Sequence, residues 1–202
     1  GIYGLTQAIL QIPLGLLSDR IGRAPVIIGG LLIFVLGSVV AAMADTMQGL
    51  IFGRALQGMG AIASTLMALL TDLTTEQNRT KAMASIGASI GLSFTLAMII
   101  GPVIASFMGL SGVFWTTALL GCCGILVFLL WVPRLDSPQK NREALADLEQ
   151  ITRLLKQPTL VRLNVGIFAL HLALMATFVV IPAMLFDQLG ISGDDLWWVY
   201  LA

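Results

Sequence analysis

A chain of 202 residues with 57% hydrophobic and 11% charged side chains has too little charge to cover a water-facing surface, since soluble domains carry roughly 25%. A formal net charge of zero excludes a nucleic-acid binder that works through a basic face. The mean hydropathy of +0.94 leaves a polytopic membrane protein as the class that fits.

A hydrocarbon core takes ~20 apolar residues per helical crossing. On that basis spans are predicted near 1–17, 26–44, 48–70, 82–106, 113–132 and 162–186, with another starting near Leu196. The chain opens and stops inside apolar runs, without an initiator Met or a signal peptide, so an internal fragment of a longer protein is expected. The first span carries Gln7 and Gln11, which suit a cavity lining or contacts between helices, as does Asn164 in the sixth.

The stretch GLLSDRIGRAP, Gly15 to Pro25, then interrupts the apolar pattern with Asp19, Arg20 and Arg23 among glycines. In the third span Arg54 lies about two helical turns beyond the acidic turn at Asp45, with Gln57 one turn on and Gly58 and Gly60 behind it. A charge at membrane depth costs ~2.5–3.5 kcal/mol on insertion scales, so such a residue faces a polar cavity or a partner. Snorkelling to the surface is the plainer alternative.

Gly87 and Gly91 form a GxxxG step, continued by Ala97, Gly101 and Ala105, for close helix contact. Pro102 and Pro182 each remove a backbone hydrogen bond and favour kinks. Cys122 and Cys123 read as small buried residues, because no spaced framework for a disulfide or a metal exists.

The segment 134–161 changes composition. Ser137-Pro138 reads as a helix start, Leu145, Leu148, Ile151 and Leu155 recur at helical spacing, and Glu149 and Arg153 pair on the polar side. A linker with a short amphipathic helix at the membrane surface is expected, against the alternative of a partly disordered basic linker. His171, in the sixth span, suits proton transfer near its ordinary pKa of ~6.5, or equally a hydrogen bond between helices.

The charges sort by turn. Of the 11 Lys and Arg residues, Arg20 and Arg23 follow the first span, Arg79 and Lys81 the third, and six lie from Arg134 to Arg162 after the fifth. The turns after the second, fourth and sixth spans hold no basic residue, only Asp45, Asp187, Asp194 and Asp195. By the positive-inside rule the loops at 18–25, 71–81 and 134–161 face the cytoplasm. Asn78 to Thr80 fits a glycosylation sequon, which that placement makes a chance match. No nucleophile elbow, P-loop or zinc-protease motif is present, so no enzyme is predicted.

Gly15-x-Leu17-Ser18-Asp19-Arg20-x-Gly22-Arg23 resembles the signature loop between the second and third helices of the major facilitator superfamily, departing at Ala24 where that pattern has a base. Arg54-Ala-Leu-Gln57-Gly58-Met-Gly60-Ala61 resembles the family's fourth-helix motif. Gly101-Pro102 resembles its fifth-helix antiporter motif, with the flanking glycines replaced by Ala97, Ala105 and Ser106. Ala68 to Ala84 and the opening GIYGLTQA look like drug-efflux members.

The resemblance implies an all-α polytopic helix bundle covering family helices two to seven and the start of eight. Residues 1–133 would be an N-terminal bundle lacking its first helix, and 162–202 the start of a C-terminal bundle. Gly15, Asp19, Arg20, Gly22, Arg23 and Asp72 would form a conformational latch. In it Arg23 pairs with Asp72, and Asp19 meets the N-terminus of a helix from the second half. Arg54, Gln57, Gly58 and His171 would serve proton coupling or the cavity, and Gly101 and Pro102 an antiporter hinge.

The function implied is proton-driven export of small amphipathic or drug-like molecules from a bacterial inner membrane. No cofactor is expected, the proton gradient being the driving force. The partners implied are the lipid bilayer and a small-molecule substrate, with no nucleic acid, and the carrier acts as a monomer. Import of sugars or metabolites is the second reading, and a channel or a non-transporting sensor the third.

Overall fold

The structure is a computed structural model and describes residues 1–60, 62–133 and 156–189. The helices among them are α1 (Ile2–Ile21), α2 (Arg23–Ala42), α3 (Met47–Met59), α4 (Ala63–Leu73), α5 (Glu76–Trp131) and α6 (Pro158–Leu189). The fold is all-α, with no strand among the described residues. The chain divides into two compact units, Gly1–Asn141 and Arg142–Ala202.

In the first unit α2 touches α1, α3, α4 and α5. Small residues make this packing close: Gly30, Gly37, Ser38, Ala41 and Ala42 are buried on it. A Cβ at Gly37 would strike the backbone of Gln57, and one at Gly53 would lie 2.6 Å from the Ala41 nitrogen. The α2–α3 contact is thus backbone against backbone, the mode that small residues permit between membrane helices. Ala41, Ala42 and Phe114 form a buried cluster against which Leu50 packs. Ser111 Oγ donates to the Ala42 carbonyl and ties the later part of α5 to the end of α2.

Several elements differ from the sequence expectation. The single span predicted over 48–70 is two helices, with Gly60 (φ −74°, ψ 29°) capping α3 and α4 starting at Ala63. Glycine costs ~1 kcal/mol in a helix interior, and a Cβ at Gly60 would come within 2.5 Å of the Gly30 carbonyl oxygen. Close approach to α2 therefore selects the residue that also weakens the helix.

Conversely, the spans predicted at 82–106 and 113–132 share the 56-residue helical run of α5, whose non-helical backbone lies at Gly109 (φ 67°, ψ −173°). A straight helix of that length would measure about 84 Å, against a hydrocarbon thickness of about 30 Å. The run is long enough for the two predicted crossings, its helical backbone breaks at Gly109, and residues 101 and 102 stay helical.

The predicted loops shrink. Gly22 alone separates α1 from α2, and Thr74 and Thr75 separate α4 from α5. Arg, Lys, Glu and Gln are good helix formers, so the helices continue into the charged residues bordering the bilayer.

Among the described residues, Arg23–Ala42, Met47–Leu73, Glu76–Trp131 and Pro158–Thr177 are long and apolar enough to cross a membrane. The span predicted at 1–17 is not among them, because α1 runs on into Ser18, Asp19 and Arg20, which shorten its apolar stretch. Cys122 and Cys123 are free and exposed, not buried.

In the second unit α6 starts at Pro158, where proline suits the first helical position, and outruns the predicted 162–186 at both ends. Asp187 therefore falls in its last turn and not in a following loop. Residues 134–155, with the predicted amphipathic helix, lie outside the described residues, as do Asp194, Asp195 and the span predicted from Leu196.

Candidate functional site

Two constellations form in the first unit. The first joins the α1–α2 junction to the end of α4. Helix α1 runs through Ser18 and Asp19 to Ile21, and Gly22 turns at φ 102°, ψ 157° so that α2 starts at once with Arg23. That conformation belongs almost solely to glycine.

Arg23 meets three acceptors. Its Nη1 donates to Ser18 Oγ at 2.7 Å, its Nε donates to Asp72 Oδ2 at 3.0 Å, and it forms an ion pair with Asp19 one turn back. Ser18 is only 1% exposed and donates its own proton to the Gly15 carbonyl at 2.6 Å. A guanidinium offers five donors in a rigid fork, which lets one arginine bridge α1 and α4.

Asp72 remains 42% exposed, so this pair gives geometry more than stability, within the ~0.2–1 kcal/mol of solvated ion pairs. Beside it α1 and α4 lie close: a Cβ at Gly15 would sit 3.3 Å from Ser64 Oγ, which donates to the Gln11 carbonyl at 3.0 Å. Arg20 is exposed.

The second constellation surrounds Arg54. Its guanidinium carbon lies 4.8 Å from the ring centre of Tyr3 and 5.9 Å from that of Phe114. Cation–π attraction of this kind contributes ~0.5–2 kcal/mol, more where water is excluded. Nη1 donates to Gln57 Oε1 at 2.8 Å, Gln57 Nε2 donates to Ser38 Oγ at 2.7 Å, and Ser38 Oγ donates to the Phe34 carbonyl at 2.8 Å.

Gly58 lets α1 approach, since a Cβ there would collide with Thr6 Oγ1 and the Tyr3 carbonyl. Thr6 Oγ1 also lies 3.1 Å from the Ala55 carbonyl on α3. Arg54 is therefore turned into a half-buried pocket of rings and amide. No carboxylate pairs with it among the described residues.

The predicted residues thus fall into two groups, Gly15, Asp19, Gly22, Arg23 and Asp72 in one and Arg54, Gln57 and Gly58 in the other. Gly101 and Pro102 join neither and sit in the earlier part of α5, with nothing within 4 Å of a Cβ at Gly101. His171 and Asn164 are exposed on α6 in the second unit. Ser18, Ser38, Tyr3 and Phe114 were missed as site residues. Ser18 stands in the loop motif without an assigned role there, and Ser38, Tyr3 and Phe114 are distinguished only by their contacts. Among the described residues no group of His, Cys, Asp and Glu is arranged to hold a metal.

The family model of the Major Facilitator Superfamily matches residues 1–202. "Inner membrane transport protein YajR" of Escherichia coli K12 is 52% identical over 202 residues, 100% of this chain and 44% of that protein. An uncharacterized transporter of Buchnera aphidicola (from Acyrthosiphon pisum) is 38% identical over 100% of this chain and 52% of its own length. "Multidrug resistance protein MdtL" of Escherichia coli O139:H28 is 26% identical over 96% of this chain and 50% of its own length. The chain spans about half the length of these relatives.

Proposed function

This chain belongs to the Major Facilitator Superfamily, and from that premise we propose that it is part of a proton-coupled carrier exporting small amphipathic or drug-like molecules by alternating access. The observation that carries this reading is the bond between Arg23 and Asp72, which ties the α1–α2 junction to the end of α4 as a latch requires. Two relatives support it by their names, one an inner-membrane transport protein and the other a multidrug resistance protein.

In this reading the junctions at Gly22 and at Thr74-Thr75 face the cytoplasm of a bacterial inner membrane. The latch holds the outward-facing conformation. Asp19 is 38% exposed beside Arg23 and keeps acceptor capacity for the N-terminus of a helix outside this chain, where a helix dipole favours an anion. Releasing these contacts lets the two halves rock open on the inner side. Arg54 supplies a fixed positive charge in the first unit, and His171, in the second, is the intramembrane imidazole assigned to proton coupling. Gly101 and Pro102 serve as the hinge of an antiporter, and the carboxylate that carries the proton lies outside this chain.

Everted membrane vesicles bearing the full-length parent protein test this. With an acid interior an exporter loads drug-like compounds, and loading collapses in Asp19→Asn and in Arg54→Ala at normal expression. Loading that persists in both variants would sink the reading. Uptake into right-side-out vesicles instead would reverse the direction and mark an importer.

A further inference from the structure

The hydrogen bonds behind Arg54 all run in one direction, from Nη1 to Gln57 Oε1, from Gln57 Nε2 to Ser38 Oγ, and from Ser38 Oγ to the Phe34 carbonyl. We propose that Ser38, on α2, is a positioning residue for Arg54. It fixes which end of the Gln57 amide faces the guanidinium. The functional consequence rests on the proposed role of Arg54, but the positioning itself does not.

An amide has two nearly isosteric ends of opposite hydrogen-bonding character. Arginine has no acceptor, so Gln57 must present its oxygen to Arg54, and its NH2 then needs an acceptor on the far side. Water cannot supply one: Gln57 is 2% exposed and Ser38 0% exposed. The α2 and α3 backbones also touch at Gly37 and Gly53. Ser38 fits because its hydroxyl passes its own proton to the Phe34 carbonyl one turn earlier and leaves its lone pairs towards Gln57.

Removal of that oxygen strands a buried NH2, and a buried donor without a partner is costly. The vacated space of one oxygen atom is less than a water molecule requires. The amide must turn or withdraw, and Arg54 then loses the acceptor that holds it between Tyr3 and Phe114.

The test is phenylglyoxal labelling of the full-length parent protein in lipid nanodiscs, read by mass spectrometry as the rate at Arg54 relative to exposed Arg20. Ser38→Ala should raise that ratio about three- to tenfold, the factor corresponding to one ordinary hydrogen bond. Ser38→Cys keeps a weak sulfur acceptor and should give a smaller rise, and it serves if Ser38→Ala does not accumulate. The Gln57→Glu background discriminates further, because either carboxylate oxygen accepts from Arg54. There Ser38→Ala should add no rise.

Ser64→Ala, which removes a hydroxyl between α1 and α4 outside this chain of bonds, should leave Arg54 unchanged. An unchanged ratio in Ser38→Ala overturns the proposal. So does an equal rise in the Gln57→Glu background or in Ser64→Ala, since either would mean general loosening. Transport that survives Arg54→Ala would instead count against the proposed function, and the labelling result would stand.

Discussion

Arg23 Nε and Asp72 Oδ2 lie 3.0 Å apart across 49 residues of sequence, joining the first residue of α2 to the last turn of α4. Only 19% of the Arg23 side chain is exposed, because the same guanidinium leans on Ser18 and Asp19 of α1. One arginine therefore reads the relative position of two helices, and separation of α1 from α4 would break at least one of its bonds.

A double-mutant cycle on this pair should give a small coupling. Arg23→Ala and Asp72→Ala, alone and together in the purified parent protein, should yield a coupling energy of about 0.5–1 kcal/mol at low salt, shrinking as salt rises. If the pair acts as the proposed latch, the transport rate should fall further than the melting temperature suggests, because the bond would then bias a conformational equilibrium. A coupling of zero at low salt would remove Asp72 from the latch.

Gly22 offers a sharper test of geometry. At φ 102°, ψ 157° it occupies a region where any side chain costs ~1–3 kcal/mol. Asparagine tolerates the left-handed helical region but not this one, so Gly22→Ala and Gly22→Asn should destabilise by similar amounts in thermal unfolding. If Asn proved clearly the better tolerated, the junction would have to adopt a left-handed turn instead.

At Gly58 the obstacle is backbone as well as side chain. A Cβ there would meet both Thr6 Oγ1 and the Tyr3 carbonyl, and overpacking of this kind costs ~1–3 kcal/mol. Gly58→Ala should lower the melting temperature. The addition of Thr6→Ala should recover little, because the carbonyl stays. Full recovery would show that the side chain alone set the α1–α3 distance.

Arg54→Lys separates charge from shape. Lysine keeps the positive charge but loses the flat guanidinium that lies against Tyr3 and Phe114 and the fork that reaches Gln57. Losing a contact worth ~0.5–2 kcal/mol predicts, on the proposed function, a roughly two- to thirtyfold fall in transport by the parent protein. Wild-type rates in Arg54→Lys would mean that charge alone is required, and that the aromatic clamp serves only packing.

Much of this was legible without coordinates. Scarce charge and apolar runs of crossing length identify a membrane bundle, since lipid imposes one simple demand on every segment. The motif around Asp19, Gly22 and Arg23 drew attention to the α1–α2 junction, because charges and glycines stand out against an apolar background. What the chain does not carry locally is which surfaces meet. An apolar run of crossing length spoke for a continuous third span, but contact with Gly30 selected the glycine at which α3 ends. Proline at 102 advertised a kink, and the backbone departs from helix at Gly109.

Ser38 looks like any serine in an apolar helix, and Ser18, though it stands in the loop motif, shows no partner in the sequence. They acquired roles when α1, α2 and α3 packed closely enough to exclude water, so that their hydroxyls became the partners of Arg23 and Gln57. Composition and charge spacing thus determined the class of the protein and the residues worth watching. Only the packing decided their partners, because a hydrogen bond between helices depends on register and distance that no single segment encodes.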